Sequence, residues 1–528
     1  MIESNVNHII IRRRMGILNG KKLNIKPIGI GDGNYLRTFT NATSLHGVIY
    51  IGEPKRPYLE RIFWICVMSS VFLICGYQIH QLLNSWMESQ IITTLSESNK
   101  YSLSASDYVP FPGITICSDL QLQYLEKKKT IVNQTLHNEY EDGINLLCHI
   151  YEPNLAVNQK FINPNSWNLL INEHRIFCKQ RVVSISWTQE NIDIPCQYFQ
   201  PIYTNYGICY SMNMIPFNQL LSNDYNLVLS KLTHPKSDII TKANETMWNP
   251  EIGFSKNAKP FHIPWKVIGD TIEDSVTIKF NLKKENTGIH CPITDTGMTL
   301  FLHTPNDVPV SIQPTAYISV NSVIYVTTTF TIRKSSENLS GWKPEIRHCY
   351  YQHERTLKFF KMYTISNCDI ECKANHSLKM CGCVAFYHPR DMKTPICGSA
   401  SYRCMRQYSN NGYSILNKQL INLNTTNDCN CLETCTHIRY QHNVVYTHRN
   451  LTNNVIQPDK QNEVSSILVM YYKRQIWSVQ RTALISGNEL LGNIGGSLGL
   501  FLGASIISVF EVIYFFAIRL FVDRWNKI

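Results

Sequence analysis

The residues best suited to chemistry lie near the C-terminus, in GNIGGSLGLFLGASIISVFEVIYFF from Gly492 to Phe516. This apolar stretch carries five glycines, three serines and a single glutamate. Gly495, Gly499 and Gly503 are spaced by four and fall on one helical face, with Gly492 and Gly496 beside it. Two readings are open. A seam of small residues lets helices approach closely where side chains are missing. Ser497, Ser505, Ser508 and Glu511 ask for more, because polar groups at membrane depth are costly unless they face protein or a wet cavity. Glycine also exposes carbonyls and tolerates unwinding, which is allowed where backbone lines water. Carbonyls and hydroxyls are the usual ligands of a partly dehydrated cation. One segment cannot enclose a pore, so several copies would have to assemble around an axis.

Such a stretch must be held across a bilayer, and two segments are long enough. Ile62 to Met87 is 26 residues without Asp, Glu, Lys or Arg. Leu490 to Phe510 is 21 uncharged residues, continued by Val512 to Ile518 past Glu511. A hydrocarbon core of about 30 Å needs about 20 helical residues. The first segment starts too late and runs too long for a cleaved signal peptide. Ten Lys or Arg lie at or before Arg61, none lies between Ile62 and Asn99, and Arg519, Arg524 and Lys527 follow the second segment. The positive-inside rule then puts both termini in the cytosol and the intervening part outside. Of 18 cysteines, Cys66 and Cys75 fall in the first segment and the other 16, from Cys117 to Cys435, fall in the outer part. An even number confined to one compartment reads as a disulfide framework. Sequons at Asn133, Asn244, Asn338, Asn375, Asn424 and Asn450 agree with that side, whereas Asn41 in the cytosolic tail should stay bare.

The outer part reads as α+β. YVPFPGITICSD suggests a strand entering a folded domain, after a polar stretch ESQIITTLSESNKYSLSASD. SIQPTAYISVNSVIYVTTTFTIRKSS is rich in β-branched residues and predicts strand. ERTLKFFKMYT suggests a short helix. The densest cysteine cluster, CDIECKANHSLKMCGC within Cys349 to Cys435, invites a zinc reading; outside the cell, disulfides are the better one. The gaps Cys368 to Cys372 and Cys429 to Cys431 suggest a ladder that pins two segments rung by rung.

The charge of +11 is scattered, with no basic helix, aromatic-basic stripe or zinc-finger spacing, so nucleic-acid binding is disfavoured. No nucleophile elbow, Walker loop, His-Glu-x-x-His or kinase signature occurs, and nothing supports an enzyme or a cofactor. GNIGGSLG follows no strand and lies inside a span, so it is not a nucleotide loop. The 17 histidines are dispersed, and no metal set emerges from them.

These motifs together resemble the degenerin/epithelial sodium channel family, which includes the acid-sensing channels. TSLHG at Thr43 to Gly47 resembles the family's cytosolic His-Gly motif. FPGITIC at Phe111 to Cys117 resembles its Phe-Pro-Ala-Val-Thr-Ile-Cys strand, with Gly113 for the usual Ala. GICYSMN at Gly207 to Asn213 resembles Gly-x-Cys-Tyr-x-Phe-Asn, with Met212 for Phe. CNCLETC at Cys429 to Cys435 and GGSLGLFLGASIISVFEVIYF carry the most specific likeness, and the chain looks most similar to the insect pickpocket branch.

The resemblance implies a membrane α+β fold: a trimer, two transmembrane helices per subunit and a disulfide-rich ectodomain with a β-sheet palm and helical thumb, finger and knuckle parts. It divides the chain into a cytosolic region 1–61, a first span 62–87, an extracellular domain 88–485 with a cysteine-rich thumb 349–435, a second span and pore 486–518, and a cytosolic tail 519–528. Gly503, Ala504 and Ser505 match the selectivity filter. Gly492 matches the degenerin gating site, followed by Asn493, where the acid-sensing branch has Asp. Gly495, Gly496, Gly499 and Glu511 fall in the pore segment, and His46 and Gly47 in a re-entrant segment that affects gating. The implied pairs are Cys117–Cys209, Cys349–Cys435, Cys368–Cys431, Cys372–Cys429, Cys381–Cys404 and Cys383–Cys397; Cys148, Cys178, Cys196 and Cys291 stay unassigned. The expected function is a subunit of an amiloride-sensitive, sodium-selective channel of the plasma membrane. Its expected partners are sodium ions, the lipid bilayer and related or identical subunits, and its stimulus is unspecified. The rivals are a non-conducting accessory or ligand-binding subunit and an ATP-gated receptor channel; the outer part lacks the lysine-rich nucleotide pocket that the latter would need.

Overall fold

A computed structural model describes residues 33–53, 56–88, 91–97, 109–118, 160–162, 181–193, 195–230, 247–259, 262–267, 269–282, 297–310, 313–401, 403–405, 429–448, 466–519 and 521–522. Two compact units emerge: Met1–Gln90 with Ala483–Ile528, and Ile91–Thr482.

The first unit is helical. Its described helices are α1 (Gly33–Ala42), α2 (Val48–Gly52), α3 (Tyr58–Glu88), α4 (Gly487–Leu502) and α5 (Ile506–Ile513), the last running into a π-helical turn at Tyr514–Ile518. α3 is long and apolar enough to cross a membrane over Tyr58–Met87. It is uncharged where a bilayer would demand it, and Phe63, Phe72, Leu73 and Tyr77 are exposed on the isolated chain. α4 and the helical run from Ile506 to Ile518 are long and apolar enough to cross only as a pair, bent by 72° at the break between them. Met68, Cys75 and Leu502 form the buried centre of this unit, with Leu45, Val48, Val71, Leu498 and Ala504 packed around it.

The second unit is built on β-sheet. Its principal strands are β1 (Ile91–Glu97), β2 (Gly113–Ser118), β3 (Val182–Trp187), β4 (Glu190–Asn191), β5 (Phe199–Thr204), β6 (Gly207–Met212), β7 (Val276–Phe280), β8 (Gly297–His303), β9 (Ala316–Ser319), β10 (Ser322–Ser335), β11 (Thr436–His448) and β12 (Ser466–Ala483). One sheet runs β11-β10-β12-β7-β3-β4, with β1 also on β12; the other runs β9-β8-β2-β6-β5. β10 shows why its sequence makes strand. Ile324, Val326, Thr328 and Phe330 alternate inward and are all buried, as a period of two requires. The polar stretch read as a lead-in is itself strand over Ile91–Glu97.

Asn213 explains part of one motif. It sits at φ 60°, a conformation open to Asn. From there its side-chain amide donates to the Phe111 carbonyl at 2.6 Å and accepts from the Trp265 N–H at 2.6 Å. The end of β6 is thereby tied to the start of β2, beside the Trp187–Trp265 pair at 4.1 Å. At Gly113 a Cβ would come within 2.4 Å of the buried His303 ring, which fits the absence of the usual Ala. Met212, in place of Phe, is fully buried.

The expected short helix at ERTLKFFKMYT is not there. The segment is irregular because Glu371, on the helix Ile365–Cys381, accepts the Lys358 and Phe359 N–H groups, both at 2.9 Å. Those donors are taken away from any local helical ladder. Helix Ile365–Cys381 itself is capped by the Thr364 hydroxyl, which accepts from Asn367 N–H at 3.0 Å, and ends on left-handed Gly382.

Six disulfides join pairs of described residues in this unit. Cys117 and Cys209 face each other in the β2–β6 register, with Cα atoms 4.4 Å apart. Cys349–Cys435, Cys368–Cys431, Cys372–Cys429, Cys381–Cys404 and Cys383–Cys397 are also joined, with Cα separations of 4.9, 5.8, 5.9, 6.0 and 5.1 Å. The middle rungs work geometrically. Four helical residues rise about 6 Å, and Cys429 and Cys431 are parted by Asn430 alone, which turns the chain at φ 42°. Cys368 and Cys372, one turn apart, therefore match Cys431 and Cys429. His376 lies within 4.8 Å of the Cys372 and Cys429 sulfurs, which are bonded to each other. Cys196 is disulfide-bonded too. Cys148, Cys178, Cys291 and the sequons at Asn133, Asn244, Asn424 and Asn450 lie outside the described residues, whereas Asn338 and Asn375 are exposed.

Candidate functional site

The site is built where α4 stops. Its start is firm: Ser486 accepts from Glu489 N–H at 3.2 Å, and the Glu489 carboxylate accepts from Ser486 N–H at 2.8 Å. Its end is a left-handed stop. Gly503 has φ 62°, its N–H donates to Gly499 O at 3.0 Å, and Ala504 N–H reaches back to Leu498 O at 3.2 Å. Such a six-residue return satisfies carbonyls that a helix end otherwise orphans. The chain then runs non-helical through Gly503, Ala504 and Ser505 before α5 begins. Peptide groups and the Ser505 hydroxyl leave the helical ladder in this stretch, and oxygen atoms are what a sodium-sized cation takes as ligands.

The segment Thr43–Gly47 packs onto this break. His46 N–H donates to Leu502 O at 3.0 Å, capping the last turn of α4. The His46 ring occupies the space beside Gly503 so fully that a Cβ there would come within 2.1 Å of Nδ1. Only glycine satisfies both the left-handed backbone and that contact. Gly47 is left-handed as well, at φ 81°, and turns the chain into α2 with Met68 close behind.

A second set of contacts lies on α5. The Ser44 and Ser508 hydroxyls share a hydrogen bond at 2.6 Å, and Ser505 N–H donates to Ser508 Oγ at 3.0 Å. Ser44 N–H donates to the Glu511 carboxylate at 2.8 Å. Further along, the Phe39 ring meets Phe515 and Phe516 edge-on at 5.5 and 5.0 Å. The structure thus brings His46, Gly47, Gly503, Ala504, Ser505 and Glu511 together. Gly492, Asn493, Gly495, Gly496 and Gly499 lie along α4, and Ser497 there donates to Asn493 O at 2.9 Å. A Cβ at Gly492, Gly495 or Gly496 would meet nothing within 4 Å of this one chain. Ser44 is the residue that sequence reasoning missed. Its only signal was adjacency to the His-Gly pair, since its partners lie more than 460 positions away.

The second unit holds a separate polar cavity lined by Thr304, Asp307, Thr364, Thr436, His437 and Tyr440, among others. Thr304 donates to one Asp307 oxygen, while the other is buried without a hydrogen-bond partner among the described residues. Burial pushes the His437 imidazole below its ordinary value, opposed by the Asp307 and Glu433 carboxylates. None of these residues stood out in the sequence.

Against known proteins, residues 39–515 match the family model described as "Amiloride-sensitive sodium channel". The chain is similar to pickpocket protein 28 of Drosophila melanogaster, 25% identical over 493 residues, which cover 90% of this chain and 77% of that one. It is 21% identical to sodium channel protein Nach of Drosophila melanogaster over 504 residues, covering 91% and 86% of the two chains. It is 20% identical to acid-sensing ion channel 2 of Homo sapiens over 498 residues, covering 90% and 85%. The break in the apolar C-terminal helices, the disulfide-rich β-sheet unit and a match across nearly the whole length lead to one conclusion: the chain belongs to the amiloride-sensitive sodium channel family, a family of ion channels rather than enzymes.

Proposed function

We propose that this chain is one subunit of a trimeric, sodium-selective, amiloride-sensitive cation channel of the plasma membrane. α3 and the α4–α5 pair serve as its two spans, both termini are cytosolic, and Ile91–Thr482 forms the extracellular gating domain. Gly503, Ala504 and Ser505 act as the selectivity filter, with Glu511 below them and His46 and Gly47 bracing them from the cytosolic side. Gly492 is the gating glycine, next to Asn493.

One observation carries this reading: the helix opens at Gly503–Ser505 and the opening is braced by His46 and Ser508. An ordinary anchor has no reason to break its ladder in mid-span, because unpaired peptide groups in hydrocarbon are costly. Broken backbone is tolerated where it lines water or protein. A second observation supports assembly. Gly492, Gly495 and Gly496 have open space around them in a single chain, so their small size answers to something outside it, as neighbouring copies about an axis would provide. The test is whole-cell current in cells expressing the chain alone and with related subunits. Amiloride-blocked sodium current supports the reading. A chain that reaches the surface in every combination and carries none favours an accessory subunit instead.

A further inference from the structure

Two sequons lie among the described residues of the second unit, and the fold treats them differently. At Asn338 both the asparagine and Ser340 are exposed. At Asn375 the asparagine is exposed, yet Ser377, which supplies the sequon hydroxyl, is 0% exposed and donates to the Cys383 carbonyl at 2.9 Å. Asn375 and Ser377 also stand two positions apart inside the helix Ile365–Cys381. Residues so spaced point to different sides of a helix, whereas on an extended segment they share one face. Glycosyl transfer needs the asparagine amide and the sequon hydroxyl engaged together, so it needs the extended form. The folded helix hides one group and turns it away from the other.

The sequence delays that helix. Asp369, Asn375, His376 and Ser377 are poor helix formers, and a helix in water draws most of its stability from packing. Here the packing arrives late. Cys368, Ile370, Glu371 and Ala374 lie on the buried face. The cross-links that hold this helix, Cys372–Cys429 and Cys368–Cys431, join residues 57 and 63 positions apart. The nearer bond from its last residue, Cys381–Cys404, still spans 23 positions. A chain made from its N-terminus therefore presents Asn375 before the residues that lock the helix have been synthesised.

We propose that Asn375 carries an N-linked glycan added to the nascent chain before the helix closes, and that the folded protein can no longer accept it. This rests on the reading of Ile91–Thr482 as extracellular. The donor is a lipid-linked pyrophosphoryl oligosaccharide. Asn375 Nδ2 attacks the anomeric carbon of its first sugar, and the nitrogen–carbon bond forms as the carbon–oxygen bond to pyrophosphate breaks. The lipid pyrophosphate leaves with the electron pair, and the amide gives up one proton. The finished fold has room for the product, because Asn375 is exposed. Chains that fold unmodified stay bare at this position. Asn338, in a three-residue turn with its sequon hydroxyl exposed, stays open to later addition.

The test is glycopeptide mass spectrometry of the full-length chain from two cell lines. One is normal; the other lacks the translocon-bound oligosaccharyltransferase that acts on nascent chains and keeps the later-acting form. Asn375 should be occupied in normal cells. In the deficient cells its occupancy should fall about tenfold, the drop expected where opening the packed helix costs about 1.4 kcal/mol, while Asn338 falls less. A pulse of membrane-permeant reductant during synthesis keeps the disulfides open and should restore Asn375 occupancy in the deficient cells. Asn375 bare in normal cells, with any other sequon of the outer part occupied, overturns the proposal and leaves the extracellular reading standing; sugar on none of them overturns both. Equal occupancy of Asn375 in the two lines, or no recovery under reductant, overturns the closure of the site by the folded helix.

Discussion

Replacing Gly503 by alanine tests how the opening between α4 and α5 is held. Two penalties follow from the geometry. The residue sits at φ 62°, where an L side chain is disfavoured by about 1–2 kcal/mol. The new Cβ would also lie 2.1 Å from His46 Nδ1, so the imidazole must leave. If it takes the backbone with it, the His46 N–H bond to Leu502 O is lost, at about 0.5–1.5 kcal/mol. Together these reach roughly 2–3 kcal/mol, enough to shift a conformational balance some thirtyfold or more. Gly503→Ala should therefore lose most of its current, or its sodium preference, at native surface density. The cycle with His46→Ala separates the two penalties. Removing the ring relieves the clash and leaves the backbone strain, so Gly503→Ala should do less damage in a His46→Ala background. The assay is reversal potential in sodium and potassium with surface labelling for each variant. Native permeability in Gly503→Ala, or strictly additive effects in the cycle, would refute the packing argument.

Three further outcomes are expected. Gly492→Val adds a side chain to open space in one chain, so folding should survive; crowding between copies, at about 1–3 kcal/mol of overpacking, should fall on the closed state and give stimulus-independent sodium current, with Gly492→Ala milder. No added resting current in a surface-expressed, stimulus-competent Gly492→Val channel would count against it. Ser508→Ala removes the partner of both Ser44 Oγ and Ser505 N–H, so it should lower sodium-over-potassium selectivity, and adding Ser44→Ala should change little more; an unchanged ratio would show that this brace is idle. His442, bonded to Thr328, is pushed down to about 4 by burial, so the unfolded chain takes up its proton first as pH falls. That stabilisation, on the order of 3 kcal/mol, is present above about pH 6.5 and is lost between about 6.5 and 4. Melts of native protein and His442→Gln across that range should diverge, and parallel curves would dismiss the assignment.

Much of the fold was legible because its signals are local. An uncharged run such as Ile62–Met87 has few alternatives to a helix, and the β-branched alternation of β10 has few alternatives to a strand. The glycines and serines after Leu490 announced irregular backbone, and the break falls among them at Gly503. What stayed hidden was decided at a distance. Residues 354–364 have helical composition, yet the Glu371 carboxylate captures two of their N–H groups. The polar Ile91–Glu97 becomes strand by pairing with β12, nearly four hundred residues later. Ser44 lay inside the TSLHG motif with no role of its own until Ser508 and Glu511 were brought beside it. The cysteine spacing permitted a ladder, whereas the helix that carries two of its rungs came only from the structure.

The most direct test of the account addresses the filter itself. Ser505 is to be replaced by a graded series from alanine to phenylalanine in cells that express the chain with whatever subunits it needs to conduct, and the reversal potential measured in sodium and in potassium. The account predicts a native channel that prefers sodium, a permeability ratio that moves with the size of residue 505, and block at the bulkiest. A ratio that stays constant through the whole series, with current undiminished, would contradict the assignment of Gly503–Ser505 as the selectivity filter.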